Sequence, residues 1–180
     1  MGVEKLLLRI GERTMLERAI AAAQGFPTVL VASPALVERI CAAADLHIVV
    51  NAAPERGMSH SLQLANAAIG DADSALAVLL ADTPLVDAAL VRRVTAARGD
   101  ADVAYPVWKD RPGHPVVFGP RARAAIGGLA AGDTIRRLRD AARWRRVELN
   151  VEDDAALIDV DTPQALARVR RLLETPGALG

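Results

Sequence analysis

The segment that most constrains this chain is residues 74–86, SALAVLLADTPLV. Residues 75–80 form a continuous apolar run, preceded by Asp71 and Asp73 and closed by Asp82-Thr83-Pro84. A run of that kind predicts a strand buried on both faces that ends abruptly in a turn. Strands covered on both faces belong mainly to parallel sheets flanked by helices. Ligands bind such sheets at the carboxyl ends of the strands, which is where Asp82 falls. A carboxylate held there needs a cationic partner, and Mg2+ carrying phosphates is one. The same residues also fit a plainer role, with Asp82 capping a helix that starts near Pro84.

A chain of 180 residues is long enough to bury a core of ordinary size and predicts a single domain over residues 1–174 with a flexible tail at 175–180. Lys+Arg and Asp+Glu both number 22, so no general attraction to nucleic acid is expected. Aromatic content of 3% argues against a base-stacking platform. The single cysteine, Cys41, excludes an intrachain disulfide and reads as a buried structural thiol. No apolar run approaches the ~20 residues of a membrane span, and 6–8 is too short for a signal peptide, so a cytoplasmic location is expected.

Thr14 can cap a helix reaching about Gln24, and residues 28–32 (TVLVA) read as a second buried strand. Ser33-Pro34 opens a helix to about Ala44, and residues 47–50 (HIVV) are a third strand. Residues 51–61 (NAAPERGMSHS) join that strand to an apolar helix starting near Leu62. A glycine and two serines at a helix start can leave backbone N–H groups free for an anion or a base edge, or can simply cap the helix. Residues 90–97 are helical, and 103–107 (VAYPV) are a strand that Pro106 places at an edge or a strand end. Residues 108–118 read as a hairpin, 135 onward as a basic helix capped by Asp133 or Thr134, and 146–151 as a strand. The last helix runs to about Leu173. Strands and helices alternate through the first hundred residues, which favours a doubly wound α/β sheet. An Asp-Thr-Pro corner occurs twice, at 82–84 and 161–163; at one sheet edge, Asp82 and Asp161 could share a hard cation.

Five blocks then follow in a specific order: Met1-Gly2-x-x-Lys5-Leu6-Leu7, Glu55-Arg56-Gly57-Met58-Ser59-x-Ser61-Leu62, Leu79-Leu80-Ala81-Asp82-Thr83-Pro84, Arg111-Pro112-Gly113-His114-Pro115-Val116 and Asp159-Val160-Asp161-Thr162-Pro163. Together they resemble the nucleotidyltransferase family that includes the molybdenum cofactor cytidylyltransferases and guanylyltransferases, from residue 1 to about 173. GMSxSL with RPGHP is most similar to the cytidylyl branch. The resemblance implies a mostly parallel, nucleotide-diphospho-sugar-transferase-like sheet with a small hairpin insertion. It implies transfer of CMP from CTP to molybdopterin, with Mg2+ as cofactor, and a molybdoenzyme or its maturation chaperone as a partner. Asp82 and Asp161 would hold Mg2+, with Asp159 a further ligand or neighbour. Lys5 would neutralise triphosphate charge and, with Asp82, serve catalysis. Gly57 and Ser61 would contact the cytosine edge, and His114 the second substrate. Arg136, Arg137 and Arg139 read as a solvated helix face.

The chain departs from the family at its front. Family members begin with a strand and a loop, L-A-A-G-x-S-x-R-M-G, whose N–H groups and arginine cradle triphosphate. Met1-Gly2 matches only the last two letters. The missing strand normally lies between residues 28–32 and 75–80, so two apolar edges should be left unpaired. The expectation is a native protein that starts upstream of Met1, against the alternative of a chain that is truly short and has lost nucleotide binding, and impaired activity for the 180-residue chain. The alternatives are a non-catalytic binding member of the family and a GTP-using guanylyltransferase with another phosphorylated acceptor. Ala81 and Thr83 stand where the family usually has Gly and Gln.

Overall fold

A computed structural model describes residues 3–40 and 46–174. The Cys41 reading and the tail therefore lie outside the described residues. The chain opens with a one-turn helix, α1 (Val3–Leu6), and a two-residue antiparallel pair, β1 (Arg9–Ile10) and β2 (Arg13–Thr14). Thr14 then caps α2 (Met15–Ala22) through a reciprocal capping box with Glu17, as its position predicts. β3 (Val29–Ala32) leads through the Ser33 cap into α3 (Pro34–Val37). That helix stops after four residues instead of continuing to Ala44; Val37 and Ile40 turn inward against the cluster around Leu36. β4 (His47–Val50) pairs in parallel with β3.

The second half carries α4 (Gly57–Ile69), β5 (Leu76–Val78), α5 (Ala88–Arg98), β6 (Val103–Trp108), β7 (Arg111–Pro112), β8 (Val116–Phe118), α6 (Pro120–Ala124), α7 (Ile135–Arg139), β9 (Arg146–Asn150) and α8 (Pro163–Glu174). β8 lies antiparallel between β5 and β6, and β6 pairs in parallel with β9. β5, β6 and β9 thus run one way and β8 the other. Residues alternate across β6: Val103, Tyr105 and Val107 pack with Leu62, Ile126 and Leu138, while Ala104 packs with Val94 of α5. Helices cover both faces, as a doubly wound arrangement requires.

Pro106 is not at an edge. It is buried inside β6, between β8 and β9. The pairing with β8 ends at Ala104 and the pairing with β7 begins at Val107, so the missing N–H falls in the gap between two ladders. The turn joining β6 to β7 is Lys109-Asp110, both with positive φ (47° and 60°), the geometry of a two-residue hairpin loop. The expected hairpin insertion is therefore present.

The sheet is split where a strand was expected to be missing. β3 and β4 form one sheet, β5 to β9 another, and among the described residues no strand lies between β3 and β5. Between their edges is an apolar cavity of about 550 Å3, lined by residues of β3 and β5 and walled by Leu16 and Ile20 of α2 and Leu62 and Ala65 of α4. This corrects the reading of residues 75–80 as a strand buried on both faces. The strand covers only Leu76–Val78, and of those residues only Leu76 is buried. Two of the exposed large apolar side chains, Phe26 and Met58, also line the cavity.

An edge with unpaired amides opens at lower cost than a central strand. In hydrogen exchange, the amides of Val103 and Ala104, on a strand paired on both sides, should exchange roughly tenfold more slowly, or more, than those of Val29–Val31. Equal protection of the two strands would show that the β3 edge is covered.

Candidate active site

Asp82 is presented by a tight turn beyond β5. Thr83 is buried, its Oγ1 donates to the Leu80 carbonyl at 2.9 Å and its N–H reaches the same oxygen at 3.3 Å. The helix that follows starts at Ala88 and is capped by Asp87, whose Oδ1 accepts from Leu90 N–H at 2.7 Å. Capping is thus done five residues later than the plainer reading required, and the Asp82 carboxylate has another partner. The second corner supplies Thr162 as a real cap, accepting from Ala165 N–H at 3.1 Å at the start of α8.

One backbone bond joins the corners: Val160 N–H donates to the Asp82 carbonyl at 2.9 Å. Asp161 is thereby held beside Asp82. Between them lies the Lys5 ammonium, which donates to Asp82 Oδ2 at 3.1 Å and also to Asp161 Oδ1. The Lys5 side chain is only 6% exposed, against 30% for Asp82 and 65% for Asp161. Leu6 packs beside it in two apolar clusters, which fixes α1 against the corners. Burial works against the lysine charge, yet the hydrogen bonds it donates to Asp161 and Asp82, with the charges of those carboxylates, outweigh it and raise its pKa above the ordinary value. The Lys5 hydrogen bond in turn holds the Asp161 carboxyl below the usual range, with a smaller contribution from Asp159. The structure therefore brings Lys5, Asp82 and Asp161 into direct contact.

The donor set suits a hard divalent ion. Two carboxylates meet at one point at the end of the sheet, and such ions are often held by one or two carboxylates plus phosphate and water oxygens. Among the described residues no cluster of three or more His, Cys, Asp or Glu side chains could hold a metal alone.

His114 follows β7 across the RPGHP turn, before a cis bond to Pro115. Gly113 explains itself by space: a Cβ there would lie 2.5 Å from the Ala156 carbonyl oxygen. Its own N–H donates to Pro106 O at 2.8 Å, and His114 N–H donates to Ala156 O at 2.9 Å. The imidazole is pushed down from its ordinary pKa of 6.5, first by burial, with Arg139 adding to that and a hydrogen bond to the Val78 backbone and the Asp82 charge opposing it. It is neutral at pH 7, and its Nδ1 is a buried atom without a hydrogen-bond partner among the described residues.

Gly57 and Ser61 are placed differently from Lys5, Asp82 and Asp161. A short 3-10 turn, Pro54–Arg56, precedes α4, which starts at Gly57 (φ +80°) and not near Leu62. Ser61 therefore lies in the second turn of the helix, where its Oγ accepts from Asn51 Nδ2 at 3.0 Å and the residue lines the cavity. No hydrogen bond joins Gly57 or Ser61 to Lys5, Asp82 or Asp161 among the described residues. Asn51 is the organiser that sequence reading missed. It is 3% exposed, and its Oδ1 also accepts from Ala53 N–H at 3.0 Å. An Asn directly after a strand is the signal that could have found it.

Arg139 corrects the reading of a solvated basic face. Arg136 and Arg137 are exposed, but Arg139 is buried. Its guanidinium lies 5.0 Å from the Tyr105 ring centre and forks onto Asp140 at 2.6 and 3.0 Å. Burial, reinforced by a 2.7 Å hydrogen bond to Glu148, pushes Tyr105 up to about 12.

A family model described as a MobA-like NTP transferase domain matches residues 1–149. The Bifunctional protein GlmU of Maricaulis maris (strain MCS10) is 37% identical over 94 residues, which is 52% of this chain and 20% of that protein. The chain thus spans about a fifth of the length of that curated relative. Among solved structures, Rv0371c from Mycobacterium tuberculosis H37Rv is 25% identical, with a TM-score of 0.83, over 95% of this chain and 90% of that one. A second structure of Rv0371c, in complex with manganese, is 25% identical with a TM-score of 0.80, covering 94% and 93%.

Gly113→Ala should cost about 1–3 kcal/mol, because backbone and not a flexible side chain must give way; urea denaturation measures it. The second expectation concerns pH. The unfolded chain binds a proton on His114 near pH 6.5 and the folded one only lower, so acidification through that range favours unfolding. The urea midpoint should fall between pH 7.5 and 5.5, and fall less for His114→Gln; parallel curves would contradict the assignment.

Proposed function

The chain belongs to the MobA-like NTP transferase family, and from that premise we propose that it transfers CMP from CTP to molybdopterin with Mg2+ as the metal. The observation that carries this reading is the buried Lys5 ammonium set between Asp82 and Asp161 where two Asp-Thr-Pro corners meet. In-line transfer of this kind rests on positioning and charge neutralisation. Asp82 and Asp161 hold the metal, and bound Mg2+ supplies charge neutralisation and orientation at the phosphates. Lys5 binds triphosphate oxygens as a compact cation. A phosphate oxygen of the acceptor attacks the α-phosphorus, the bond to the β-phosphate breaks, and pyrophosphate leaves. His114, neutral and half-buried beyond the hairpin, binds and orients the acceptor. Ser61, on the α4 wall of the cavity, faces the base with Gly57.

Thermal shift with CTP, GTP and ATP, each with and without Mg2+, tests the reading. A ligand at 100 times its Kd adds about 2.7 kcal/mol, which for a domain of this size is roughly 5–10 °C. The expected result is a CTP-selective shift that needs Mg2+ and is lost in Asp82→Asn. A shift led by GTP would make the chain a guanylyltransferase, and a CTP shift indifferent to Mg2+ and to Asp82→Asn would remove the metal site from the reading.

A further inference from the structure

The carboxylates assigned to the metal already hold a cation. The Lys5 ammonium donates to Asp82 Oδ2 at 3.1 Å and to Asp161 Oδ1, which places it between the two oxygens that face each other. Resting on the function proposed above, we infer that Lys5 and the divalent ion compete for this pair. The ion enters between Asp82 and Asp161 as the ammonium leaves, and the triphosphate is the anion that draws it away.

Three observations carry this. First, the ammonium already sits on Asp82 Oδ2 and Asp161 Oδ1, and a second cation held by the same two carboxylates would lie at short range from it and be repelled. Second, the Lys5 side chain is 6% exposed where it stands, so a displaced ammonium gives up a buried position with two carboxylate partners, and a new anionic partner offsets that loss. Phosphate oxygens supply that partner; a metal ion arriving alone does not. Third, Lys5 reaches the pair on a flexible four-carbon stem, so the ammonium can swing off Asp82 and Asp161 while Leu6 keeps α1 in place. Lys5 is then a positioning residue for the metal as well as a ligand for the nucleotide. Linkage makes the effect reciprocal: nucleotide tightens metal binding by the same factor that metal tightens nucleotide binding.

Mn2+ binding, followed by the paramagnetic resonance signal of the free ion, tests this. It is measured on the wild-type chain, Lys5→Met and Asp82→Asn, with and without a CTP analogue that cannot be cleaved between its α- and β-phosphates. Methionine keeps the apolar stem and removes the charge. Without nucleotide, Lys5→Met should bind Mn2+ about tenfold tighter than wild type or better, and the analogue should tighten Mn2+ binding in wild type far more than in the variant. Equal or weaker Mn2+ binding by a folded Lys5→Met overturns the competition. If wild-type binding with the analogue is still lost in Asp82→Asn, the metal reading survives that failure. If it is indifferent to Asp82→Asn, the metal reading falls and takes the competition with it. A second measurement needs no variant: the Lys5 Cε resonance should move when Mg2+ and the analogue are added together. A saturated complex that leaves it at its ligand-free position overturns the proposal.

Discussion

A buried ammonium cannot stand alone, and Lys5 is the constraint around which this end of the molecule is arranged. Its side chain reaches in from the first turn of the chain, and its partners come from positions 82 and 161. The Val160 N–H to Asp82 carbonyl bond fixes the spacing of the two corners independently of any side chain. Three distant parts of the sequence are thereby held at one point by one backbone bond and one shared cation. The apolar clusters around Leu6, Ile10, Val160 and Val169 supply the packing that a pair of partly exposed carboxylates could not.

The split sheet is the second organising fact. Two edges face a common apolar cavity, and neither finds a partner among the described residues. The half-buried state of β3 and β5 follows directly, as does the exposure of Phe26 and Met58 beside it. The helices on either side hold their places because each packs elsewhere too. Leu16 and Ile20 of α2 share a cluster with Leu36, and Leu62 of α4 joins the core of the five-stranded sheet. Arg123 helps in the same way: buried in α6, it donates to Asn66 Oδ1 at 2.6 Å and to Ser74 Oγ at 2.7 Å, tying α4 to the approach to β5.

The hairpin shows how His114 is held in place without being on a regular element. Close approach of Gly113 to the Ala156 carbonyl lets the chain cross there, and His114 is carried with it. Burial is the main cause that lowers the tendency of that imidazole to take a proton, and Arg139, stacked on Tyr105 and paired with Asp140, adds to it. A charge that looks solvated on a helical projection is thus buried and acts on a neighbouring titratable group.

Local pattern alone determined a good deal. The capping residues Thr14 and Ser33, the β3 and β4 strands, the hairpin and the two Asp-Thr-Pro corners were legible because each depends on near neighbours in sequence. The pairing of Asp82 with Asp161 was legible as a possibility, because two like corners at strand ends have one natural meeting place. Tertiary structure decided the rest. It put Pro106 in a central strand, because two ladders happen to leave a gap at that residue. It moved the helix cap from Asp82 to Asp87 and gave Asp82 to Lys5 instead. It buried Arg139 while leaving Arg136 and Arg137 in water, which depends on the Tyr105 ring from another strand. It set Ser61 inside a helix, bound to Asn51. Each of these turns on contacts between residues far apart in the chain, and no periodicity or spacing within a window of sequence encodes them.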